Sequence, residues 1–169
     1  MTRGFLPPSP AAAAAGELIM AFGAFITGPW IFKEKRRKDK PKPEVIVTLQ
    51  SCHHRTYVTA ERDGTCNANR VEAKRWERFA TSNYHDGSVY FRSHHGTFLH
   101  ADPASEKLRF RKGDGMTSGF KVIKHPDGKV SLRTCIDHYV TVDNKSRIYA
   151  KVRHIGEREK FWMKTVSKL

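Results

Sequence analysis

The sequence has few cysteines and lacks the short motifs that mark common catalytic sites. Three cysteines in 169 residues are too few for a disulfide scaffold, and the odd number favours free thiols in a reducing compartment. A Cys-x-x-Cys pair is absent, which argues against the usual structural zinc site. Glycine-rich phosphate loops, Gly-x-Ser-x-Gly elbows and His-Glu-x-x-His pairs are absent too. The sequence therefore predicts a non-enzymatic protein with no cofactor, no metal site and no small-molecule substrate.

Acidic residues are scarce relative to basic ones. The chain has 31 Lys and Arg against 17 Asp and Glu, which gives a net charge of +14. Residues 1–43 carry +5 of this and residues 44–169 carry +9, so the C-terminal part is basic by itself. A basic surface favours anionic partners such as actin, nucleic acid, anionic lipid or sulfated sugar. A hydrophobic content of 38% argues against wholesale disorder.

The N-terminal 43 residues differ in composition from the rest. Residues 1–32 are rich in Pro and Ala and contain an uncharged run at 18–32, and residues 33–43 form a basic linker. About 20 apolar residues are needed to cross a bilayer, so the span 11–32, which contains Glu17, is a borderline membrane anchor. If it inserts, the basic cluster at 33–42 places the C-terminal part in the cytosol and meets anionic lipid. The alternatives are a nuclear-import signal at 33–42 and a tail that does not insert.

The remainder is a threefold repeat, which is the strongest signal in the sequence. Segments that begin Val-x-(Leu/Phe) recur at offsets of 42 and 41 residues: 47–51, 89–93 and 130–134. A second pair of apolar residues recurs at offsets of 41: 57–58, 98–99 and 139–140. A phenylalanine recurs at the same offsets: Phe79, Phe120 and Phe161.

Each copy reads as four short β-strands. Apolar and polar residues alternate with period two, and turn residues such as Asp63-Gly64 separate the runs. No helical periodicity is evident after residue 44. Three copies of about 41 residues predict twelve strands in one all-β domain over 44–169, a β-trefoil whose barrel removes exposed sheet edges. The recurring apolar residues are the predicted core: Val47, Leu49, Phe79, Phe91, Phe120, Leu132 and Phe161. Trp76 is predicted to lie in the core or to cap it.

Several segments resemble the fascin and hisactophilin family of β-trefoils over residues 44–167. The first copy reads YVTAERDG at 57–64, NANR at 67–70 and WERF at 76–79. The second reads FRSHHGTFL at 91–99, and the third reads GKVSLRT at 128–134. The resemblance implies a β-trefoil that binds F-actin, often bundling it, with no catalysis and no required cofactor.

The chain departs from that family in two respects. Fascins carry four trefoils in tandem, whereas this chain has one. Hisactophilin is richer in histidine and is anchored by N-terminal acylation. Myristoylation needs a glycine directly after Met1, and Thr2 stands there instead.

Basic residues recur in register with the repeat. Arg70 aligns with Arg111, and Lys112 aligns with Arg153. We predict a partial basic belt as the actin- or anion-binding surface, made of Arg70, Lys74, Arg75, Arg78, Arg109, Arg111, Lys112, Lys151, Arg153, Arg158 and Lys160. The alternative is a charged, solvated surface without a partner.

Pairs of histidines occupy the same turn in copies one and two, where copy three has Cys135 and Ile136. Because histidine gains charge in mild acid, these turns are candidates for a pH-responsive element: His53, His54, His94 and His95. The alternative is four solvent-exposed histidines without function.

Together these observations predict an actin-filament-binding cytoskeletal protein in the cytoplasm, which crosslinks filaments or links them to a membrane. A nuclear, nucleic-acid-binding trefoil is the main alternative, with 33–42 as its import signal. A secreted, heparin-binding trefoil is the third hypothesis, and the lack of a convincing signal peptide argues against it.

Overall fold

Short segments rich in β-branched and aromatic residues fold as strands throughout residues 44–168, the part of the chain that the computed structural model describes. The twelve strands there are β1 Val45–Ser51, β2 Tyr57–Ala60, β3 Cys66–Arg70, β4 Arg78–Asn83, β5 Val89–Arg92, β6 Phe98–Ala101, β7 Leu108–Arg111, β8 Lys121–Lys124, β9 Val130–Arg133, β10 Tyr139–Val142, β11 Ile148–Val152 and β12 Phe161–Lys168. A single-turn 3₁₀ helix precedes the fourth strand in each copy: Arg75–Glu77, Met116–Ser118 and Glu157–Glu159. The predicted strands are confirmed. The 3₁₀ turns, too short to show a helical period, were not predicted.

Six strands form a closed ring of antiparallel pairs. β1 pairs with β4 and β12, β4 with β5, β8 with β9, and β9 with β12. β5 and β8 meet where the Val89 amide donates to the Phe120 carbonyl at 2.8 Å and the Phe120 amide donates back at 3.0 Å. The other six strands pair as the hairpins β2–β3, β6–β7 and β10–β11. This six-stranded barrel with three hairpins is the predicted β-trefoil.

The barrel interior is filled by the apolar residues of the repeat. Phe79, Phe120 and Phe161 are at most 1% exposed, and each lies opposite a valine of the same copy across its strand pair. The Phe79 ring also stacks on the ring of Phe110, with centroids 5.5 Å apart. All seven predicted core residues are buried. Burying each large apolar side chain stabilises the fold by about 1.5–3 kcal/mol.

The three hairpins are joined to one another by a ring of backbone hydrogen bonds. Gly64, Glu106 and Ser146 each adopt a positive φ at the start of the third strand of their copy. The Gly64 carbonyl accepts from the Phe110 amide at 2.8 Å, and the Glu106 carbonyl accepts from the Ala150 amide at 2.7 Å. The Ser146 carbonyl completes the ring by accepting from the Ala68 amide of the first copy at 2.9 Å. The ring therefore encircles a pseudo-threefold axis that relates the three copies.

The turn after the first strand is one residue longer in copy one than in the other copies. In copy one the Arg55 amide donates to the carbonyl four residues back, at Ser51. In the other copies the Gly96 and Asp137 amides donate to the carbonyl three residues back. Arg55, Gly96 and Asp137 share a positive φ and are therefore equivalent. This extra residue explains why the first strands are offset by 42 residues and the second strands by 41.

A buried polar side chain closes each 3₁₀ turn. The Glu77 carboxylate accepts from the Lys74 amide at 2.7 Å, and the Glu159 carboxylate accepts from the Gly156 amide at 2.7 Å. In copy two the Ser118 hydroxyl takes this role, accepting from the backbone amide three residues back at 2.8 Å. The side chains that close the turns are at most 6% exposed. The Glu of the WERF segment is therefore a structural residue that orients the turn before Phe79.

The predicted apolar extension at 1–32 and the basic linker at 33–43 lie outside the described residues, as does the candidate membrane anchor at 11–32. None of the helical turns found between residues 44 and 168 has the length or the apolar sequence that crossing a bilayer requires.

Candidate functional site

Trp76 is the centre of a basic and aromatic cluster on the surface of copy one. The guanidinium carbons of Arg62 and Arg70 each lie 5.8 Å from the centroid of its ring, within range of a cation–π interaction. The ring of His95, from the turn of copy two, meets the indole edge-on at 5.3 Å. Trp76 is half-buried, because the 3₁₀ turn that carries it lies outside the barrel. Of the two predicted positions for Trp76, in the core or capping it, the structure excludes the core, and the ring is available to a partner.

The same cluster borders an open hollow. Arg70, Lys74, Arg75 and Trp76 line a space of about 460 Å³, together with Val71, which is 76% exposed. Arg70 is oriented by Glu61, at 3.3 Å from its carboxylate. Among residues 44–168, Lys74 pairs only with an equally exposed glutamate at 3.8 Å, and such surface pairs contribute little to stability. We call Arg62, Arg70, Lys74, Arg75 and Trp76 the Trp76 cluster.

A second basic group surrounds the pseudo-threefold axis. Its residues come from the third strand of each copy and from the position just before that strand. Isolated β-bridges between copies join Thr65 to Arg109, Asn67 to Arg147, and Lys107 to Tyr149. Their side chains line a hollow of about 290 Å³. Arg147 and Lys151 both lie over the ring of Tyr149, at 5.6 and 4.7 Å from its centroid. We call Lys107, Arg109, Arg147, Tyr149 and Lys151 the axial patch.

The two basic groups are neighbours on one surface. A shallow hollow of about 370 Å³ is lined by Arg62 and Trp76 on one side and by Asp63, Thr65 and Asn67 on the other. The last three residues also line the hollow of the axial patch. The backbone amide of Thr65, and to a smaller extent the charge of Arg109, lowers the pKa of Asp63. That carboxylate is therefore charged and separates the two groups.

The remaining predicted basic residues line neither hollow. Arg111 lies 3.7 Å from a carboxylate oxygen of Asp102. Lys160 donates to Glu157 at 3.1 Å, and this hydrogen bond raises the pKa of Lys160 and lowers that of Glu157. Four others are exposed and form no ion pair with an acid among residues 44–168: Arg78, Lys112, Arg153 and Arg158. The structure thus gathers Arg70, Lys74 and Arg75 in one group and Arg109 and Lys151 in the other.

The four turn histidines differ in their surroundings. His53 and His94 are exposed, whereas His54 and His95 are half-buried. The His53 and His54 rings meet edge-on at 4.6 Å, and Nε2 of His54 is enclosed without a hydrogen-bond partner among residues 44–168. Nε2 of His95 lies 3.2 Å from the Ala60 carbonyl oxygen. Of the four, His95 is the one in ring contact with Trp76.

Several residues of these two groups lie outside the predicted basic belt: Arg62, Lys107, Arg147 and Tyr149. Lys107 and Arg147 are equivalent in the structure, because each directly follows the positive-φ residue before the third strand of its copy. They are 40 residues apart, so the 41-residue repeat did not align them. His100 lies outside the predicted histidine turns. It is a buried histidine whose ring nitrogens contact a threonine hydroxyl at 2.8 Å and a glycine carbonyl at 2.9 Å.

Two of the three cysteines are poor candidates for a nucleophile. Burial raises the pKa of the Cys66 thiol far above its ordinary value, and burial also raises the pKa of Cys52 despite the nearby Lys129 charge. A thiol of raised pKa is a poor nucleophile. Within residues 44–168, no three His, Cys, Asp or Glu side chains are grouped so as to hold a metal ion. The cationic and aromatic side chains of the two basic groups are chemically suited to anions and to flat rings.

Comparison with known proteins agrees with this architecture. The model of the Fascin domain family matches residues 48–163. Hisactophilin-3 of Dictyostelium discoideum is 33% identical over 75 residues, a match that covers 44% of this chain and 62% of the relative. This chain therefore aligns with less than two thirds of that relative's length.

Solved structures of low sequence identity share the fold. ThreeFoil, a designed 3-fold symmetric protein, superposes with a TM-score of 0.63 at 13% identity, covering 70% of this chain and 96% of that one. SeviL bound to asialo-GM1 saccharide superposes with a TM-score of 0.64 at 12% identity, covering 73% and 99%. The family model extends from β1 to β12 and spans more than half of the chain. The chain therefore belongs to the fascin domain family.

Proposed function

We propose that this protein binds actin filaments as a non-enzymatic, cytoplasmic component of the cytoskeleton. The observation that carries the proposal is its membership of the fascin domain family, whose model matches nearly the whole trefoil. The resemblance to fascin and hisactophilin implies F-actin as the partner. The charge supports it, because actin filaments are acidic and this chain has a net charge of +14.

The Trp76 cluster is the surface best suited to contact the filament. Tryptophan and arginine are the residues most enriched at binding hot spots, and here two guanidinium groups lie over one indole ring. Val71 adds exposed apolar area beside them. Lys74 and Arg75 supply charge that steers an acidic partner toward this surface.

His95 would make this contact sensitive to pH. Its ring packs against Trp76, so protonation adds a positive charge at the edge of the cluster. Such a charge strengthens attraction to an acidic filament as the pH falls. His53, His54 and His94 stay candidates for the same effect.

Two further proposals are that the protein crosslinks actin filaments and that it links them to a membrane. One surface on one trefoil holds one filament, so crosslinking needs a second surface or self-association. Membrane linkage depends on residues 11–32 and on anionic lipid contact by 33–42, which lie outside the described residues. Nuclear location with nucleic acid as the partner stays the alternative.

Co-sedimentation of the full chain with F-actin tests the proposal. We expect saturable pelleting at physiological salt and stronger pelleting at pH 6.0 than at pH 7.5. The double variant Lys74→Gln with Arg75→Gln should bind more weakly. Its matched control, Lys124→Gln with Lys164→Gln, removes two exposed lysines that line none of the hollows described above and should bind like the parent.

Two outcomes would contradict the proposal. Pelleting that disappears at physiological salt means that a basic protein is merely attracted to an acidic polymer. Equal weakening in both double variants means that net charge, and not the Trp76 cluster, sets the affinity. In either case, competition by RNA at physiological salt tests the nucleic-acid alternative.

A further inference from the structure

The axial patch has the features of a binding site for a small, multiply charged anion. It lies where three hairpins meet, and the ring of backbone hydrogen bonds at 2.7–2.9 Å holds those hairpins together. The residues that alternate with its side chains along the strands are core residues, among them Leu108, Phe110 and Ile148. The cationic side chains therefore project from a rigid base, which lowers the cost of ordering them around a ligand.

The charges of the patch are only partly neutralised from within. Arg147 donates from Nε to Asp143 at 2.8 Å, and this pair holds its guanidinium beside Tyr149. Lys107 and Arg109 form no ion pair with an acid among residues 44–168. One carboxylate, that of Asp63, lines the hollow against three cations. The hollow thus keeps an excess of positive charge.

The uncharged residues of the hollow are suited to the oxygens of a phosphate group. Thr65, Asn67 and Tyr149 contribute a hydroxyl, an amide and a phenol to the same lining. Guanidinium groups bind phosphate through paired hydrogen bonds, and lysine adds a point charge. The volume of about 290 Å³ is close to the lower end of ordinary ligand pockets, so it fits a compact ligand.

We propose that the axial patch binds a compact organic polyphosphate, either a free inositol phosphate or the headgroup of a phosphoinositide lipid. Lys107, Arg109 and Arg147 contact its phosphates, while Tyr149 packs against its ring. This inference does not depend on actin binding, because it uses a different set of residues from the Trp76 cluster.

Isothermal titration of the full chain with inositol 1,4,5-trisphosphate at physiological salt tests the site. We expect one saturable site per chain. Each charge-assisted contact changes affinity by about tenfold, so Lys107→Gln with Arg109→Gln, which removes two contacts, should weaken binding by about a hundredfold. The control Lys124→Gln with Lys164→Gln removes the same charge and should stay within about twofold of the parent. All four residues are exposed, and unchanged urea midpoints confirm that the variants are folded.

Flotation with vesicles distinguishes the two sources of the ligand. Vesicles containing phosphatidylinositol 4,5-bisphosphate are compared with phosphatidylserine vesicles of equal charge. Because residues 33–42 are the same in every variant, a loss confined to Lys107→Gln with Arg109→Gln reports on the axial patch. A selective loss on the phosphoinositide vesicles identifies the lipid headgroup as ligand, and saturable titration without vesicle selectivity identifies the free phosphate. Absence of saturable heat, or equal weakening in both double variants, overturns the proposal, whatever the result with actin.

Discussion

The buried glutamate that closes the 3₁₀ turn of copy one allows a quantitative test of the fold. Glu77 is 2% exposed and accepts from the Lys74 amide at 2.7 Å and from the Thr59 hydroxyl at 3.0 Å. Hydrogen bonds to a charged group are worth roughly 1.5–3 kcal/mol each. Part of this is offset by the cost of burying the carboxylate. Glu77→Ala should therefore reduce the free energy of unfolding by roughly 2–4 kcal/mol.

Two further variants separate the charge from the hydrogen bonds. In Glu77→Gln, the side-chain amide can donate to the Thr59 hydroxyl, which in turn donates to the Tyr57 carbonyl, at 3.3 Å in the native protein. We expect this variant to lose about 1 kcal/mol or less. Ser118→Ala removes the neutral counterpart in copy two and should cost about 1 kcal/mol.

Urea unfolding of the full chain, followed by tryptophan fluorescence, measures these differences. The free energy of unfolding of such a domain is about 5–15 kcal/mol, so all three variants should remain folded at 25 °C. A double-mutant cycle of Glu77→Ala with Thr59→Val should give a coupling energy of at least about 1 kcal/mol. If Glu77→Ala loses no more stability than Ser118→Ala, the charged hydrogen bonds do not stabilise the turn and the reasoning is refuted.

Two further predictions concern a glycine and the acid range. Gly64→Ala should reduce the free energy of unfolding in urea by several times as much as Gly87→Ala. Both glycines have a positive φ, but only at Gly64 would a Cβ lie 2.6 Å from the Phe110 carbonyl oxygen. Equal losses would show that the hairpin shifts to make room. Backbone amides two residues further along donate to Asp86 and Asp127 and lower the pKa of both carboxyls, so the stability they contribute above the ordinary carboxyl range is lost as the pH falls through the lowered values. The urea concentration at the unfolding midpoint should therefore decrease when the pH is lowered below about 4. Asp86→Asn with Asp127→Asn should make this decrease smaller; an unchanged slope of the midpoint against pH would contradict the assignment.

Local chemistry made most of the fold predictable. The twelve strands and the seven core residues followed from a repeat of about 41 residues, because apolar side chains in one register of equivalent strands must face the same interior. The one-residue difference in offset between the first and second strands was visible as well, and the longer turn at Arg55 accounts for it. The 3₁₀ turns left no trace, since three residues are too few to show a period.

The candidate site was predictable only in part. The sequence placed Arg70, Lys74 and Arg75 in one basic belt with eight other residues, and the structure brings these three to a single hollow. The sequence left open whether Trp76 lies in the core or caps it, because a tryptophan three residues before a core phenylalanine does not reveal whether it faces the barrel or the adjacent turn. Its contact with His95 joins two copies of the repeat, and no local pattern encodes such a contact.

By itself, the sequence determined the number of copies, the strands, the core and the basic character of the surface. These are local properties, because they depend on periodicity and composition. The tertiary structure alone decided which charges meet. Lys107, Arg109 and Arg147 come from two different copies, and they line one hollow only because the three hairpins close into a ring around the axis. That closure depends on hydrogen bonds between residues 44 to 78 positions apart, so no single segment of the chain encodes it.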